Sequence, residues 1–345
     1  MSFKLKDFIV PFALAVGFTV AFQYYFGERG TGTRSDQIVT GRSHVAPNEA
    51  QRALNREVDF IDTLKQEPVL TDVDTTYGKA TFSTVGASLQ QLEFNHDVSE
   101  SKARLAPITT VGDDDRCFLV GLEGKTPLYY SLISKIENED KAELIYKADV
   151  SSGTITKKFT IFKRINKIDL DINAEPKGEP LRLRLFYPAP KLKEMKSDVI
   201  NGVYEEGPQN IQKKPAEKIL DKYWESLTLF GAEDKYFLNV MYKDEDLFAQ
   251  RGYYKKSPEG NLISVLESHN IKEGKNYRLS FYIGPKKISA MTPVTDKLEK
   301  TLDYGFFAPL SKLLLRLINF FYSYVFNYGW AIILLTLKKT CLLDM

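Results

Sequence analysis

Hydropathy divides the chain into two apolar ends and a polar middle. Residues 8–26 form an uncharged run of 19 residues, and residues 317–337 form an uncharged run of 21 residues. A helix of about 20 residues spans about 30 Å, the hydrocarbon thickness of a bilayer. Each run therefore predicts a transmembrane helix.

The residues that flank these runs predict an orientation. Residues 23–26 are bulky where a signal peptide has small residues at its cleavage site, which favours an uncleaved anchor. Lys4 and Lys6 precede the first run, and such charges favour the cytoplasmic side of a membrane. The large middle of the chain is then expected outside the membrane, with Lys338 and Lys339 back in the cytoplasm.

Between the two ends the apolar residues recur with a period of two. They alternate with aspartates in 168–172, with arginines in 181–185, and again with polar residues in 277–283. This pattern predicts antiparallel strands that have one buried and one solvated face, and residues 154–162 and 168–173 are predicted to pair as a hairpin. The basic pairs Lys157–Lys158 and Lys163–Arg164 are interpreted as solvated strand faces, and contact with anionic lipid headgroups is the less favoured alternative. So many strands predict a mainly β fold built as a sandwich.

Three segments depart from the strand pattern. Residues 217–236 predict a helical interlude, and residues 293–302 predict a final helix of the domain. Residues 302–316 are apolar, with Lys312 and Arg316 on one side, which suits an amphipathic helix on a membrane surface. An ordinary core helix is the alternative for this last segment.

Composition and charge exclude several classes of function. The net charge is +2 and the mean hydropathy is −0.27. A nucleic-acid-binding protein usually has a clear basic excess, so no nucleic acid is expected as a partner. Two cysteines and three histidines lack metal-binding spacing. No nucleophile motif is present, and Asp113, Asp114 and Asp115 lack the spacing of a calcium loop. We expect no metal and no cofactor, whereas the missing motifs are only weak evidence against an enzyme, because catalytic partners need not be close in sequence.

Several motifs, in this order along the chain, resemble the YidC-type membrane protein insertases. The first two are residues 81–89 (TFSTVGASL) and residues 234–237 (DKYF). The third is residues 282–286 (YIGPK), and the most specific is the stretch from Leu302 (LDYGF) through residues 327–336 (NYGWAIILLT). The resemblance covers the whole chain, including the predicted anchor and surface helix.

The resemblance implies a fold and a division into domains. It implies a periplasmic β-supersandwich similar to mutarotase-like sandwiches, flanked by an N-terminal transmembrane helix and by an amphipathic helix that leads into an incomplete second transmembrane helix. The implied segments are a cytoplasmic N-terminus and anchor at 1–27 (span about 8–26), a linker at 28–66, the sandwich at 67–295, the interfacial helix region at 296–327 and the second span from 328 to 345. The interfacial helix would carry an aromatic belt of Tyr304, Phe306, Phe307, Phe320, Phe321, Tyr322 and Tyr324.

The resemblance also implies a function and partners. The family assists insertion, folding and assembly of inner-membrane proteins, alone or with the Sec translocon. The implied partners are nascent inner-membrane proteins, the Sec translocon and the lipid bilayer. The implied location is the bacterial inner membrane, with the N-terminus in the cytoplasm and the large domain in the periplasm.

The carboxyl terminus departs from the family pattern. The family inserts substrates through a lipid-facing groove formed by five spans, with a cation in the first of them. Thr340 falls near the position of that cation, and Lys339 or Lys338 is the nearest candidate for the role. On this reading the chain lacks most of the insertase core and is expected not to insert substrates unaided. The alternatives are a membrane-tethered periplasmic module that binds a ligand or partner and, less favoured, an aldose-epimerase-like enzyme.

Overall fold

A computed structural model describes most of the region between the two apolar ends. The described residues are 43–45, 59–61, 67–95, 106–109, 116–122, 125–127, 129–190, 200–207, 210–257, 260–302, 308–330 and 332–333. The chain divides into two compact units, residues 1–39 and residues 40–345, and every described residue belongs to the second. The predicted anchor at residues 8–26 lies outside the described residues.

The described residues form 21 β-strands. They are β1 (Ser43–Val45), β2 (Asp59–Ile61), β3 (Leu70–Thr75), β4 (Gly78–Ser83), β5 (Ser88–Phe94), β6 (Ala106–Thr109), β7 (Leu119–Leu122), β8 (Lys125–Pro127), β9 (Ser131–Glu137), β10 (Lys141–Val150), β11 (Gly153–Phe162), β12 (Lys167–Pro176), β13 (Leu183–Pro188), β14 (Asn201–Glu205), β15 (Ile211–Pro215), β16 (Lys222–Glu225), β17 (Phe230–Glu233), β18 (Phe237–Asp244), β19 (Arg251–Lys256), β20 (Leu262–Glu267) and β21 (Lys275–Pro285).

These strands form three antiparallel sheets and one small parallel pair. The nine-stranded sheet has the order β15-β14-β17-β18-β21-β12-β11-β10-β9, and the six-stranded sheet has the order β1-β16-β19-β20-β13-β7. The four-stranded sheet has the order β3-β4-β5-β6, and β2 pairs with β8 in parallel. The mainly β prediction is confirmed.

The period-two pattern places its strands correctly. In β12, Ile168, Leu170 and Ile172 are buried while the intervening residues are half-buried. β11 pairs antiparallel with β12, which confirms the predicted hairpin. Residues 277–283 lie within β21, which pairs with β12 on one side and β18 on the other.

One hydrophobic core joins the three sheets into a sandwich. Phe159 of the nine-stranded sheet packs against Phe82 of the four-stranded sheet, with ring centroids 4.9 Å apart. Phe281 of the nine-stranded sheet meets Tyr187 of the six-stranded sheet edge-on, with centroids 5.2 Å apart. All four rings are essentially excluded from solvent. Phe159 and Phe281 lie on the same inward face of the nine-stranded sheet, so this face packs against both of the other sheets, and burial of such rings contributes apolar stabilisation to the fold.

The prediction that Lys157 lies on a solvated strand face is wrong. Lys157 is fully buried, between the buried Ile155 and Phe159 on the inward face of β11. Its neighbour Lys158 points outward and pairs with Glu143 across the strand, at 3.0 Å. In a strand the side chains alternate in direction, so two adjacent lysines cannot share one face.

The Lys157 ammonium donates to three backbone carbonyls. Its Nζ lies 2.7 Å from the oxygen of Gly86, 2.9 Å from that of Ala87 and 2.5 Å from that of Phe118. All three residues have positive φ values, of 69°, 41° and 70° respectively. Such left-handed turns direct carbonyls away from the strand ladders, and buried carbonyls need a donor. The ammonium of Lys157 is that donor.

The three carbonyls come from two further sheets. Gly86 and Ala87 form the turn between β4 and β5 of the four-stranded sheet, and Phe118 precedes β7 of the six-stranded sheet. A Cβ at Gly86 would lie 2.2 Å from the Leu119 side chain, so the turn requires glycine at this position. The motif at residues 81–89 therefore builds the turn that Lys157 holds.

The prediction of a solvated face for the arginines of residues 181–185 is also wrong in part. Arg184 is buried, and its Nε lies 3.1 Å from a carboxylate oxygen of Glu267 on the adjacent β20. Arg251 approaches the same carboxylate at 2.8 Å, and Arg182 approaches it at 3.6 Å. The charge of Arg184 is buried because Glu267 neutralises it across the strand pair.

The helical interlude predicted for residues 217–236 is not present. A short 3₁₀ helix spans Ala216–Lys218, and the strands β16 and β17 follow within the same segment. Trp224 of β16 is buried against Tyr204, Phe230 and Tyr254. Tertiary packing of this aromatic cluster overrides the weak local helical pattern.

Three helices follow the last strand: α1 (Ile288–Met291), α2 (Asp296–Glu299) and α3 (Ala308–Val325). Met291 of α1 and Leu298 of α2 are fully buried against the outer face of the nine-stranded sheet. Lys297 of α2 donates to the carbonyl of Thr228 at 2.8 Å and pairs with Glu205 at 2.5 Å. These contacts attach the chain segment before α3 to the sandwich.

None of the helices within the described residues combines the length and hydropathy that a bilayer-spanning helix requires. The second span that the resemblance implies, from 328 to 345, falls largely on residues that are not described.

We expect Lys157→Met to destabilise the domain strongly. The substitution leaves three buried carbonyls without a donor, and each unsatisfied buried group costs about 1–3 kcal/mol. The free energy of unfolding should fall by about 3 kcal/mol or more, as measured by urea unfolding of the detergent-solubilised chain. The matched control, Lys158→Met, loses only a surface ion pair and should change stability by about 0–1 kcal/mol. Equal effects of the two substitutions would contradict the role assigned to Lys157.

The stability difference between the native chain and Lys157→Met should depend on pH. Burial lowers the pKa of Lys157 well below its usual value. Between that lowered pKa and the usual value of about 10.4, the unfolded chain binds a proton that the folded chain has lost. The native chain should therefore gain stability relative to the variant as the pH rises through this window. Unfolding titrations of both proteins from neutral pH upward measure this difference, and a constant difference would refute the linkage.

Candidate membrane-facing site

From Leu314 onward, helix α3 exposes apolar and aromatic side chains. Phe320 is 55% exposed and Tyr324 is 71% exposed, and Phe326, immediately after the helix, is 79% exposed. Leu314, Leu315 and Leu317 are exposed on the same helix. Large exposed apolar patches are rare on soluble proteins and mark sites of interaction with membranes or partners.

A polar stripe interrupts this apolar surface. Arg316, Asn319 and Ser323 follow one another at spacings of three and four residues, so they lie along one side of α3. A narrow polar stripe and a wide apolar surface are typical of a helix that lies in a membrane interface. Of the segment 302–316, the structure describes Leu314, Leu315 and Arg316 as exposed, and both the amphipathic helix and the ordinary core helix stay predictions for that segment.

Helix α3 ends abruptly, and the chain changes direction at Phe326. Phe326 has a φ of 51°, and the carboxamide oxygen of Asn327 accepts from the backbone nitrogen of Gly329 at 2.8 Å. This is the arrangement of an asparagine N-cap, which starts a new helical segment at Tyr328. Tyr322 and Tyr328 stack with centroids 4.1 Å apart across the break. Residues 327–330 of the most specific motif therefore build the junction between two helices.

The described part of the predicted aromatic belt lies on α3. Phe320 and Tyr324 are exposed and pack edge to face at 5.1 Å, and Phe321 and Tyr322 are half-buried. Tyr304, Phe306 and Phe307 lie outside the described residues. Lys338 and Lys339, the candidates for the groove cation, lie outside them as well.

Two motifs that are about 50 residues apart in sequence meet at one end of the nine-stranded sheet. Asp234, at the turn between β17 and β18, accepts from the backbone nitrogens of Tyr236 and Phe237 at 2.7 and 2.6 Å. The backbone nitrogen of Lys286, at the end of β21, donates to the carbonyl of Tyr236 at 2.7 Å. The Asp234 carboxyl is buried, and this desolvation raises its pKa. The motifs at 234–237 and 282–286 thus form one local structure.

A buried carboxylate organises the lysines at this end of the sheet. Glu233 is 2% exposed and pairs with Lys213 and Lys286, each at 3.0 Å. Lys286 also donates to the carbonyl of Asp234 at 3.1 Å. The Nζ atom of Lys235 lies 5.0 Å from the centroid of the Tyr236 ring. The interaction with the Tyr236 side chain raises the pKa of Lys235. The ammonium of Lys235 is therefore charged at neutral pH.

A cleft of about 1050 Å³ opens between this end of the sheet and α3. We call it the lysine cleft. Its described lining residues are Asn201, Lys213, Glu233, Lys235, Lys286, Lys287, Ile288, Ser289, Leu302, Leu315, Asn319 and Tyr328. Four ammonium groups and one carboxylate line the sandwich side, whereas the α3 side presents Leu315, Asn319 and Tyr328. The cleft is cationic on one wall and amphipathic on the other.

Sequence reasoning missed the lysine cleft. Lys286 belongs to the motif at residues 282–286, but no local sequence pattern connects it with Lys213 on β15. Three strands, β14, β17 and β18, separate β15 from β21 in the sheet order, and only the register of those strands brings the two lysines to one carboxylate. Among the described residues, no group of three His, Cys, Asp or Glu side chains could hold a metal ion.

Comparisons with known proteins identify a family and its members. The family described as the YidC periplasmic domain matches residues 70–317. The membrane protein insertase YidC of Geobacter metallireducens is 27% identical over 332 residues, which is 88% of this chain and 60% of that protein. The insertase of Wolinella succinogenes is 22% identical over 347 residues, which is 95% of this chain and 62% of that protein. The chain spans about 60% of the length of these two relatives.

Solved structures give weaker likenesses. A crystal structure of an active YidC insertase with its first transmembrane domain resolved is 15% identical, with a TM-score of 0.32 over 83% of this chain and 57% of that one. A galactose mutarotase related enzyme from Lactobacillus acidophilus is 8% identical, with a TM-score of 0.41 over 63% of this chain and 97% of that one. Scores this low carry no argument about activity, and the mutarotase-like character of the sandwich stays a prediction.

The family match carries the assignment, because it extends from β3 into α3 and includes nearly the whole described sandwich. Within it lie the turn that Lys157 holds and the two motifs that form one end of the lysine cleft. The chain belongs to the YidC periplasmic domain family.

Proposed function

We propose that this chain forms the periplasmic domain and interfacial helix of a membrane protein insertase. The whole protein would assist insertion, folding and assembly of inner-membrane proteins, with or without the Sec translocon. The observation that carries the proposal is the family match over residues 70–317, which ends within the exposed apolar helix α3. The named relatives are insertases, and this chain corresponds to about 60% of the length of two of them.

The proposed division of labour follows the predicted boundaries. Residues 1–27 would anchor the chain and residues 28–66 would link it to the sandwich at 67–295. Residues 296–327 would form the interfacial region, and the second span would start at 328. The contacts of Met291, Leu298 and Lys297 with the sandwich support the assignment of α1 and α2 to the end of the domain.

The proposed location is the bacterial inner membrane, with the N-terminus in the cytoplasm and the sandwich in the periplasm. Helix α3 would lie on the outer surface of that membrane, with Phe320 and Tyr324 in the interface. Aromatic side chains favour this depth because an apolar ring and a polar edge are both satisfied there.

The proposed role of the sandwich is non-enzymatic. The relatives are named as insertases. The proposed partners are nascent inner-membrane proteins, the Sec translocon and the bilayer. Lys338 and Lys339 remain predictions for the groove cation.

A chimera tests the proposed function. Residues 1–330 of this chain would replace the matched segment of the Geobacter metallireducens insertase, in a strain depleted of its own insertase. We expect the chimera to support growth as the parent insertase does. A chimera that reaches the membrane in a folded form but fails to support growth, while the parent supports it, would refute the proposal.

The two tryptophans of the chain report on where α3 lies. Trp330 is 59% exposed just after α3, whereas Trp224 is fully buried in the sandwich. In vesicles that contain brominated phosphatidylcholine, we expect the fluorescence of Trp330 to be quenched and that of Trp224 to persist. Trp330→Phe should abolish the quenching. Unquenched fluorescence in the native chain would place α3 away from the bilayer.

Removing the exposed rings should weaken this placement. The double substitution of Phe320→Ser and Tyr324→Ser removes apolar area that the interface would bury, and we expect the quenching of Trp330 to fall severalfold. A matched control, Ile133→Ser with Ile136→Ser, removes two side chains that are 59% and 58% exposed on the distant strand β9. The control should leave the quenching unchanged.

A further inference from the structure

The lysine cleft has the chemistry of an anion site. Four ammonium groups face one carboxylate among its described lining residues, so positive charge is in excess. Lys213 and Lys286 each form an ion pair with Glu233 at 3.0 Å. Lys235 and Lys287 are exposed, and neither forms a salt bridge with a carboxylate of the described residues. The cleft therefore has cationic groups that are available to a ligand.

The geometry of the cleft selects an amphipathic anion. The lysines occupy the sandwich wall, and Leu315 and Leu302 contribute apolar surface to the same cleft. A free inorganic anion would use only the lysines. A volume of about 1050 Å³ is at the upper end of the range of small-molecule sites, which is far more than a single phosphate requires.

The position of the cleft indicates the source of that anion. The α3 wall of the cleft, at Leu315 and Asn319, belongs to the same helix as the exposed Phe320 and Tyr324. A lipid lying against α3 would bring its headgroup to the level of the lysines. Basic side chains beside a membrane attract anionic lipids, with about 1 kcal/mol for each lysine.

We propose that the lysine cleft binds the phosphate group of one anionic phospholipid, with Lys235 and Lys287 as its principal contacts and the acyl chains against α3. This inference rests on the proposed location of α3 in the membrane interface. The bound lipid would fix the distance between the sandwich and the bilayer surface. Lys213 and Lys286 would complete the cationic wall while they remain paired with Glu233.

Native mass spectrometry of the full chain tests the proposal. The chain would be released from nanodiscs that contain phosphatidylglycerol and phosphatidylcholine in equal amounts. We expect one retained phosphatidylglycerol for each chain and a clear preference over phosphatidylcholine. With Lys235→Ser and Lys287→Ser, this preference should fall about fivefold for each lysine removed, which corresponds to about 1 kcal/mol each.

The matched control removes the same charge elsewhere. Lys177→Ser with Lys272→Ser alters two exposed lysines that do not line the cleft. This control should retain the native preference for phosphatidylglycerol. An equal loss in both double variants would show a general attraction between the charged chain and the membrane, and would overturn the proposed site.

Further arms distinguish other ligands. Inorganic phosphate at millimolar concentration should not displace the retained lipid, and displacement would identify a site for a free anion. An acidic peptide that binds the native chain but not the Lys235→Ser, Lys287→Ser variant, without any lipid preference, would identify a protein partner instead. Either result overturns the proposal.

The quenching of Trp330 shows whether a negative result refutes only the lipid site or also the proposed location of α3. Quenched Trp330 without a preference for phosphatidylglycerol would refute the lipid site and leave the location of α3 intact. Unquenched Trp330 would refute the location on which both depend.

Discussion

Within the common hydrophobic core, the buried side chain of Lys157 links all three sheets of this domain. Lys157 belongs to the nine-stranded sheet, and its three acceptors belong to a turn of the four-stranded sheet and to the residue before β7 of the six-stranded sheet. Below the lowered pKa of Lys157, the three protons of its ammonium match the three carbonyls, which offsets part of the cost of burying the charge. The acceptors lie on residues with positive φ, so their carbonyls have left the strand ladders. The hydrogen bonds from Lys157 fix both turns against the nine-stranded sheet.

The same sandwich supports the membrane-facing end of the chain. The nine-stranded sheet brings Lys213 and Lys286 to Glu233, and the turn at Asp234 fixes the end of β21. Helices α1 and α2 then pack on the outer face of that sheet, and Lys297 fixes them to Glu205 and Thr228. The segment fixed in this way ends at Leu302, and helix α3 begins at Ala308. A domain built in this way can hold a cationic cleft next to an apolar helix.

Much of the strand structure could be predicted from the period of the apolar residues and the length of each patterned segment. The alternation in residues 168–172 correctly predicted a half-buried strand, because a period of two follows directly from strand geometry. The same reasoning, applied to one residue at a time, would have placed Lys157 inward, since it is in phase with Ile155 and Phe159. Its charge favoured the solvated face, and this preference was misleading. The helical pattern of residues 217–236 failed because four packed aromatic rings outweigh local propensity.

The sequence by itself determined the class of the fold, the apolar character of α3 and the order of motifs that places the chain in its family. These properties depend on local period, on composition and on linear order, which a sequence states directly. Only the tertiary structure decided the Lys157 contacts, the burial of Arg184 against Glu267 and the lysine cleft. Each of these joins residues that are far apart in the chain. Their meeting depends on the pairing and register of strands that no local pattern specifies.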